Sequence, residues 1–193
     1  MKLLEFYAGR VHLDIADGIF VPNETIKGYS ELELISTGLK FDVHLMVKDP
    51  SGQIDNWENG KADRFIIHVE SINVDGTIED IRGRGKSVGL ALNPSTPNSS
   101  VETFIQGIDL VQFMTIDPGF QGRDFIPQVV EKIRDFRQRY PAMPIAVDGG
   151  INLATAKEAI SAGANIIVSG SFILKSGNVG KAIAELREAV QNF

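Results

Sequence analysis

The stretch Arg10-Val11-His12-Leu13-Asp14-Ile15-Ala16-Asp17-Gly18 decides the fold. Its first seven residues, Arg10–Ala16, make a short run that breaks off where polar residues and glycine begin. Six further runs of the same kind follow: Phe41–Val47, Arg64–Val69, Ser87–Leu92, Leu110–Ile116, Pro144–Val147 and Ile166–Gly170. They are rich in Val, Ile, Leu and Phe, and near-continuous apolarity over such lengths suits strands covered on both faces. Between them lie stretches with helical apolar spacing, among them Asp124–Tyr140, Leu153–Ala162 and Asn178–Gln191. Gly60, Gly107 and Gly163 stand where such stretches should stop, as C-terminal caps. Strand and helix alternating at this pitch predict right-handed βαβ units and a parallel sheet.

An open doubly wound sheet and a closed barrel both satisfy that alternation. The polar residues separate them. His12, Asp14, His44, His68, Asn93, Asp117 and Asp148 fall within or just after six different runs. A barrel gathers such groups on the rim at the C-terminal ends of its strands, whereas an open sheet concentrates them at one switch point. The expected fold is therefore an α/β class (β/α)8 TIM barrel, one domain over residues 1–193, incomplete at the N-terminus with seven of eight strands. Lys2–Ala8 reads as the last two turns of a helix capped by Gly9. A helix without a beginning implies a missing first strand and part of a first helix. The alternative is that Met1–Ala8 is a frayed helical arm on a complete fold.

Composition excludes several function classes. A chain of 193 residues, 43% hydrophobic and 23% charged, builds one domain with a substantial core. Its net charge of −6 speaks against a nucleic-acid partner, because phosphate backbones need a basic face. A small phosphate held by backbone amides leaves no trace in net charge. No apolar run approaches the roughly 18 residues a membrane span requires. The N-terminal residues lack the pattern of a secretory signal. Cysteine is absent, which excludes disulfides and thiolate ligands and accords with a reducing cytoplasm.

Two constellations carry chemistry. Residues two apart on a strand face the same side, so His12 and Asp14 project together, and on a barrel interior they join His44 and Asp148. Two imidazoles and two carboxylates suit Zn²⁺, Fe²⁺, Mn²⁺ or Co²⁺. A single strand-end histidine reads equally well as a structural residue, and it is the convergence of three segments that points to a metal. The second constellation is glycine-rich: Pro118-Gly119-Phe120-Gln121-Gly122, Asp148-Gly149-Gly150 and Gly170-Ser171. The last two follow the final two runs, where barrels bind phosphate, and they precede helical stretches whose first amides attract anions. Each taken alone is also an ordinary βα turn.

The motif His12-Leu13-Asp14-Ile15-Ala16-Asp17-Gly18-Ile19-Phe20-Val21-Pro22-Asn23 resembles the signature of the ribulose-phosphate 3-epimerase family. So do Asp42-Val43-His44-Leu45-Met46-Val47, Ala91-Leu92-Asn93-Pro94-Ser95-Thr96-Pro97, Met114-Thr115-Ile116-Asp117-Pro118-Gly119-Phe120 and Val147-Asp148-Gly149-Gly150-Ile151-Asn152. The resemblance runs in order from about Leu3 to the end. It implies a cytoplasmic isomerase of the pentose phosphate pathway, a homo-oligomer acting on a ketose phosphate, with neither nucleic acid nor membrane as partner. It implies that His12, Asp14, His44 and Asp148 hold one divalent metal, and that Asp14 and Asp148 are the catalytic acid and base. His44, Gly119, Phe120, Gln121, Gly122, Gly149, Gly150, Gly170 and Ser171 would line the substrate and phosphate site. Met46 and Met114 match methionines that pack beside the intermediate in the family; without the resemblance both read as core residues. Inverting a carbon beside a ketone removes its proton to give a cis-enediolate and returns a proton to the other face, so two carboxylates are needed.

Departures from the family pattern accompany the match. The opening strand and its serine loop have no counterpart, and loss of a stave exposes two strand edges. Ala16 stands where methionine is usual, which should loosen the pocket, and Gly122-Arg123 replaces Gly-Gln, with Arg123 expected to face solvent. The Asp117 variant also occurs in relatives acting on hexulose 6-phosphates, so an allulose 6-phosphate type of 3-epimerase is the alternative substrate reading. Decarboxylases of the orotidine-phosphate type share the barrel but need a lysine in Asp-x-Lys-x-x-Asp, and Asp14-Ile15-Ala16-Asp17 offers none. A catalytically impaired phosphate-binding relative is the remaining alternative. His68 reads as a polar rim residue, structural or near substrate, and Trp57 carries no functional reading.

Overall fold

The computed structural model describes residues 2–25, 28–58, 62–119 and 123–191. These divide into two compact units, residues 1–91 with 101–109, and residues 92–100 with 110–193.

The first unit runs α1 (Lys2–Glu5), β1 (Arg10–Ala16), α2 (Tyr29–Glu33), β2 (Lys40–Met46), α3 (Ile54–Glu58), β3 (Ala62–His68), α4 (Val74–Gly83) and most of β4 (Ser87–Leu92). The strands pair in parallel, with Asp14 opposite His44, His44 opposite Ile66 and His68 opposite Ala91. Partners across a parallel ladder face the same side, so one face carries Arg10, His12 and Asp14 of β1, Asp42 and His44 of β2, and Arg64 and His68 of β3. The other face carries Phe41, Val43, Leu45, Phe65 and Ile67, all fully buried. Strands expected to be apolar throughout therefore alternate. One face packs as core, and the other is a file of ionisable side chains sorted by depth. At the N-terminal end of the strands Arg10 bonds Asp42 at 2.5 Å and Asp63 at 2.6 Å, and Arg64 reaches Asp42 at 3.4 Å. The imidazoles lie toward the C-terminal end.

The second unit runs β5 (Leu110–Met114), α5 (Gln128–Arg139), β6 (Ile145–Asp148), α6 (Leu153–Ala162), β7 (Ile166–Val168), α7 (Ser171–Leu174) and α8 (Val179–Gln191). It is again parallel, with Met114 opposite Asp148 and Asp148 opposite Val168. α5 lays Val129, Ile133 and Phe136 on the strands, and Phe136 meets Phe113 edge-on at 5.6 Å. α8 buries Ala182, Ile183 and Leu186 and packs against α6 and α7. The strand order of the sheet follows the chain, β1 to β7. Seven parallel strands with intervening helices are the expected α/β barrel class.

Several boundaries differ from the sequence expectations, each for a local reason. α5 begins at Gln128 and not near Asp124, because Pro127 occupies its N-cap and a proline disfavours helix in the residue before it. Residues Asn98–Gly107 form a 3₁₀ segment. Of the expected glycine caps, Gly163 is left-handed at φ 114° and closes α6, while Gly9 and Gly107 are absent from the positive-φ glycines and Gly60 lies outside the described residues. α1 ends at Glu5, and the chain turns through Tyr7 and Ala8, whose N–H groups donate to the Leu4 carbonyl. Among the described residues no helix is long and apolar enough to cross a membrane.

Candidate active site

In the first unit the strand register brings His12, Asp14 and His44 together. Asp14 Oδ1 lies 2.8 Å from His44 Nδ1 and 3.4 Å from His12 Nε2, and the two imidazole rings are 5.2 Å apart. Burial works against charge on Asp14, but hydrogen bonds to His12 and His44 and the field of those imidazoles outweigh it. They hold the carboxyl well below the usual aspartate range. Asp14 is thus a carboxylate kept ionised.

His68, expected on the rim, is fully buried beneath the site. Its Nε2 is 2.9 Å from His44 Nε2, its Nδ1 is 3.1 Å from Glu70 Oε2, and its ring centre is 5.0 Å from that of His44. The Phe20 ring packs 4.7 Å from it. Glu70 went unnoticed in the sequence; the signal was there as His68-Val69-Glu70, two polar residues with the spacing that shares a strand face.

Asp17 organises the loop after β1. Its carboxylate accepts from Ile19 N and Phe20 N, each at 2.8 Å, and from Lys48 N beyond β2 at 2.8 Å. Partial burial raises its pKa, but the three backbone donors win and lower it. This turn carries Phe20 over His68 and lets Val21 pack with Ala16 and Met46, with Phe20 against that cluster. Ala16, expected to loosen the pocket, is itself 3% exposed, because Val21 and Phe20 fill in beside it.

In the second unit Asp148 ends β6. Gln112 Nε2 donates to its Oδ2 at 3.4 Å and lies 3.6 Å from Met114 Sδ. Gln112 is fully buried, a polar residue inside an apolar run that the sequence reading passed over. Gly149 and Gly150 adopt φ 117° and 63°, conformations that side chains resist. A Cβ on Gly149 would stand 2.4 Å from Ile116 Cγ1, and one on Gly150 would stand 2.9 Å from Phe125 N. Ser169 Oγ donates to the Ile151 carbonyl at 2.9 Å, tying the loop after β7 to the loop after β6. α6 is capped from within: Asn152 accepts from Ala154 N and Thr155 N, and Thr155 accepts from Asn152 N. Those amides are therefore engaged by the chain itself, which narrows the anion-binding donors expected there. Gly170 precedes α7, a helix of four residues. Gly119 adopts φ 119°, while Phe120, Gln121 and Gly122 lie outside the described residues. Asp117 and Arg123 are exposed. The Asn93-Pro94-Ser95-Thr96 motif wraps a single ammonium: Lys132 Nζ donates to the carbonyls of Asn93, Pro94 and Thr96 at 3.0, 2.8 and 2.6 Å.

The first unit thus offers two imidazoles and a carboxylate from His12, His44 and Asp14, and the second offers the Asp148 carboxylate at the end of β6. Two imidazoles and two carboxylates are the mixed nitrogen and oxygen donors that borderline divalent cations accept.

A parallel (β/α) barrel with imidazoles and carboxylates assembled at its strand ends defines a class, the α/β-barrel enzymes with a candidate divalent-metal centre. Solved structures agree on the fold: a 3-hexulose-6-phosphate synthase matches with TM-score 0.71 at 18% identity, covering 97% of this chain and 89% of its own. The orotidine 5'-phosphate decarboxylase of Pyrococcus horikoshii matches with TM-score 0.67 at 17% identity, over 98% and 90%. Within that class the chain belongs to the ribulose-phosphate 3-epimerase family, whose model matches residues 2–174, and it is an isomerase. The cytoplasmic ribulose-phosphate 3-epimerase isoform of Oryza sativa subsp. japonica is 37% identical over 98% of this chain and 86% of the relative. The ribulose-phosphate 3-epimerases of Bacillus subtilis and Escherichia coli K12 are 38% and 35% identical, over 92% and 96% of this chain and 85% and 86% of theirs.

Proposed function

We propose that this chain interconverts D-ribulose 5-phosphate and D-xylulose 5-phosphate by inverting C3, with a divalent cation held by His12, Asp14, His44 and Asp148. The observation that carries the reading is the grouping of His12, Asp14 and His44, with Asp14 Oδ1 2.8 Å from His44 Nδ1 and 3.4 Å from His12 Nε2, in a member of this family. When bound, the cation supplies positive charge beside the oxygens on which negative charge develops. Asp14 takes the C3 proton, and its ionised state in the protein suits a base. Asp148 serves the other face of C3, because one carboxylate cannot reach both, and Gln112 orients it from beneath. Met46 and Met114, both buried, pack beside the reacting carbons without competing for the cation. Gly119, Gly149, Gly150, Gly170 and Ser171, with Phe120, Gln121 and Gly122, hold the phosphate. The left-handed glycines among them let backbone approach an anion more closely than a side chain would permit. Asp117 favours a second reading, a hexulose 6-phosphate as substrate.

We read the chain as a cytoplasmic homo-oligomer, in keeping with the cytoplasmic isoform among its relatives. The test is an assay of the metal-loaded chain with D-ribulose 5-phosphate and with allulose 6-phosphate, following formation of the C3 epimer. The proposal expects faster turnover of the pentulose, and loss of epimerisation by at least a thousandfold in Asp148→Asn with the circular dichroism spectrum unchanged (on the order of 10²–10⁴ is usual for one acid–base group). Undiminished epimerisation in that variant would refute the two-carboxylate assignment, and preference for the hexulose would transfer the proposal to the second reading.

A further inference from the structure

Asp14, His44, His68 and Glu70 form one line of contacts within the first unit. The contacts are Asp14 Oδ1 to His44 Nδ1 at 2.8 Å, His44 Nε2 to His68 Nε2 at 2.9 Å, and His68 Nδ1 to Glu70 Oε2 at 3.1 Å. Both imidazoles are fully buried, and a carboxylate stands at each end. With His44 taken as a ligand through the Nδ1 beside Asp14, the two remaining contacts fix where the protons of the line sit.

Glu70 offers only acceptor oxygens when ionised, so the contact at that end places a proton on His68 Nδ1. A neutral His68 then has a lone pair on Nε2, which faces His44 and must be met by a donor. His44 therefore carries its proton on Nε2. That leaves Nδ1, the atom 2.8 Å from Asp14 Oδ1, as the one that meets the cation in the proposed function. Metal-bound histidines generally donate their second N–H to a carboxylate or carbonyl that fixes ring and tautomer. Here the acceptor is a second imidazole, which has to be fixed in turn, and Glu70 does it. The His44 and His68 rings lie within 23° of coplanar, as an N–H···N bond between them requires, and the Phe20 ring packs 4.7 Å from that of His68.

We propose that His68 and Glu70 are positioning residues that lock His44 in its Nε2–H tautomer and so present Nδ1 to a divalent cation. The inference rests on the reading of His44 as a ligand and deepens it. Neither residue touches substrate or cation, so their effect should be on metal affinity and not on the chemical step.

Titrating the metal-free chain with Co²⁺ alone and reading its visible absorption tests this. His68→Leu should bind Co²⁺ weaker by roughly 10- to 100-fold. His68→Gln, whose amide oxygen accepts from His44 Nε2, should recover most of that loss, which a merely space-filling role for His68 would not produce. Glu70→Leu should weaken binding in the same direction. Its side chain is only partly buried, so this variant carries the test if His68→Leu does not fold. At saturating metal kcat should return to within threefold of wild type in every folded variant. Long-range ¹H–¹⁵N spectra of the Zn²⁺-loaded wild type should show His44 protonated on Nε2. Wild-type Co²⁺ affinity in folded His68→Leu or Glu70→Leu, or His44 protonated on Nδ1 in the loaded protein, would overturn the inference while leaving the proposed function standing. A wild-type chain that binds no Co²⁺ would overturn both.

Discussion

Asp17 shows how one side chain can set the geometry around a site without belonging to it. The sequence marks it only as part of a long motif, and its role was legible to no periodicity argument, because its three partners are backbone amides. Two come from its own turn and one from beyond the next strand. The depressed pKa gives a signed consequence. Asp17 binds its proton less readily in the folded chain than in the unfolded one, so it stabilises the fold above the ordinary aspartate value near 4. That contribution is lost as pH falls below 4 toward the folded value. Asp17→Ala should lower stability by about 1 kcal/mol at pH 7, the usual worth of such a hydrogen-bonded group. The difference from wild type should shrink as pH falls below 4, as thermal melts across that range would show. The four proposed ligands were legible because each sits in an unusual place for its type, a histidine or aspartate inside an apolar run. Gln112 and Glu70 were not, since a lone glutamine or glutamate near a strand has many bland explanations, and only the hydrogen-bond geometry distinguishes them.

At the scale of elements the sequence was most informative where local chemistry and tertiary packing agree. β1, β4 and α6 have the bounds their residues suggest. α6 starts at a self-contained capping box built from Asn152 and Thr155, and it stops at Gly163 in the one conformation glycine adopts freely. Replacing Asn152 by Ala should cost about 1 kcal/mol in chemical denaturation, the typical loss for an N-cap, and no change in the denaturant slope should accompany it. Where tertiary structure decides, the reading faltered. The extension of β3 back to Ala62 and of β6 forward to Asp148 depends on pairing with neighbouring strands, which no residue type announces. The 3₁₀ character of Asn98–Gly107 is likewise set by its surroundings, with Asn98 bonded to the Lys132 carbonyl and to Asp135.

At the scale of the molecule, the cation proposed for His12, Asp14, His44 and Asp148 would link function to stability. Any species that binds the folded chain and not the unfolded one stabilises it by mass action, by about 2.7 kcal/mol at a hundredfold excess over Kd. Zn²⁺ or Mn²⁺ should therefore raise the melting temperature, a chelator should reverse the rise, and Asp148→Asn should blunt it. Calorimetry with and without chelator measures this directly.

The alternation of β1, β2 and β3 bears on how the chain avoids misfolding. Sliding one of these strands by a single residue would thrust Asp42 or His44 among the leucines and phenylalanines behind the sheet, and would strand Arg10 opposite an aliphatic group. The acids and bases thus act as teeth on a ratchet. A mispaired sheet forfeits its ion pairs and desolvates naked charges at the same stroke, so the very side chains that would perform chemistry also proofread the alignment of the strands that carry them.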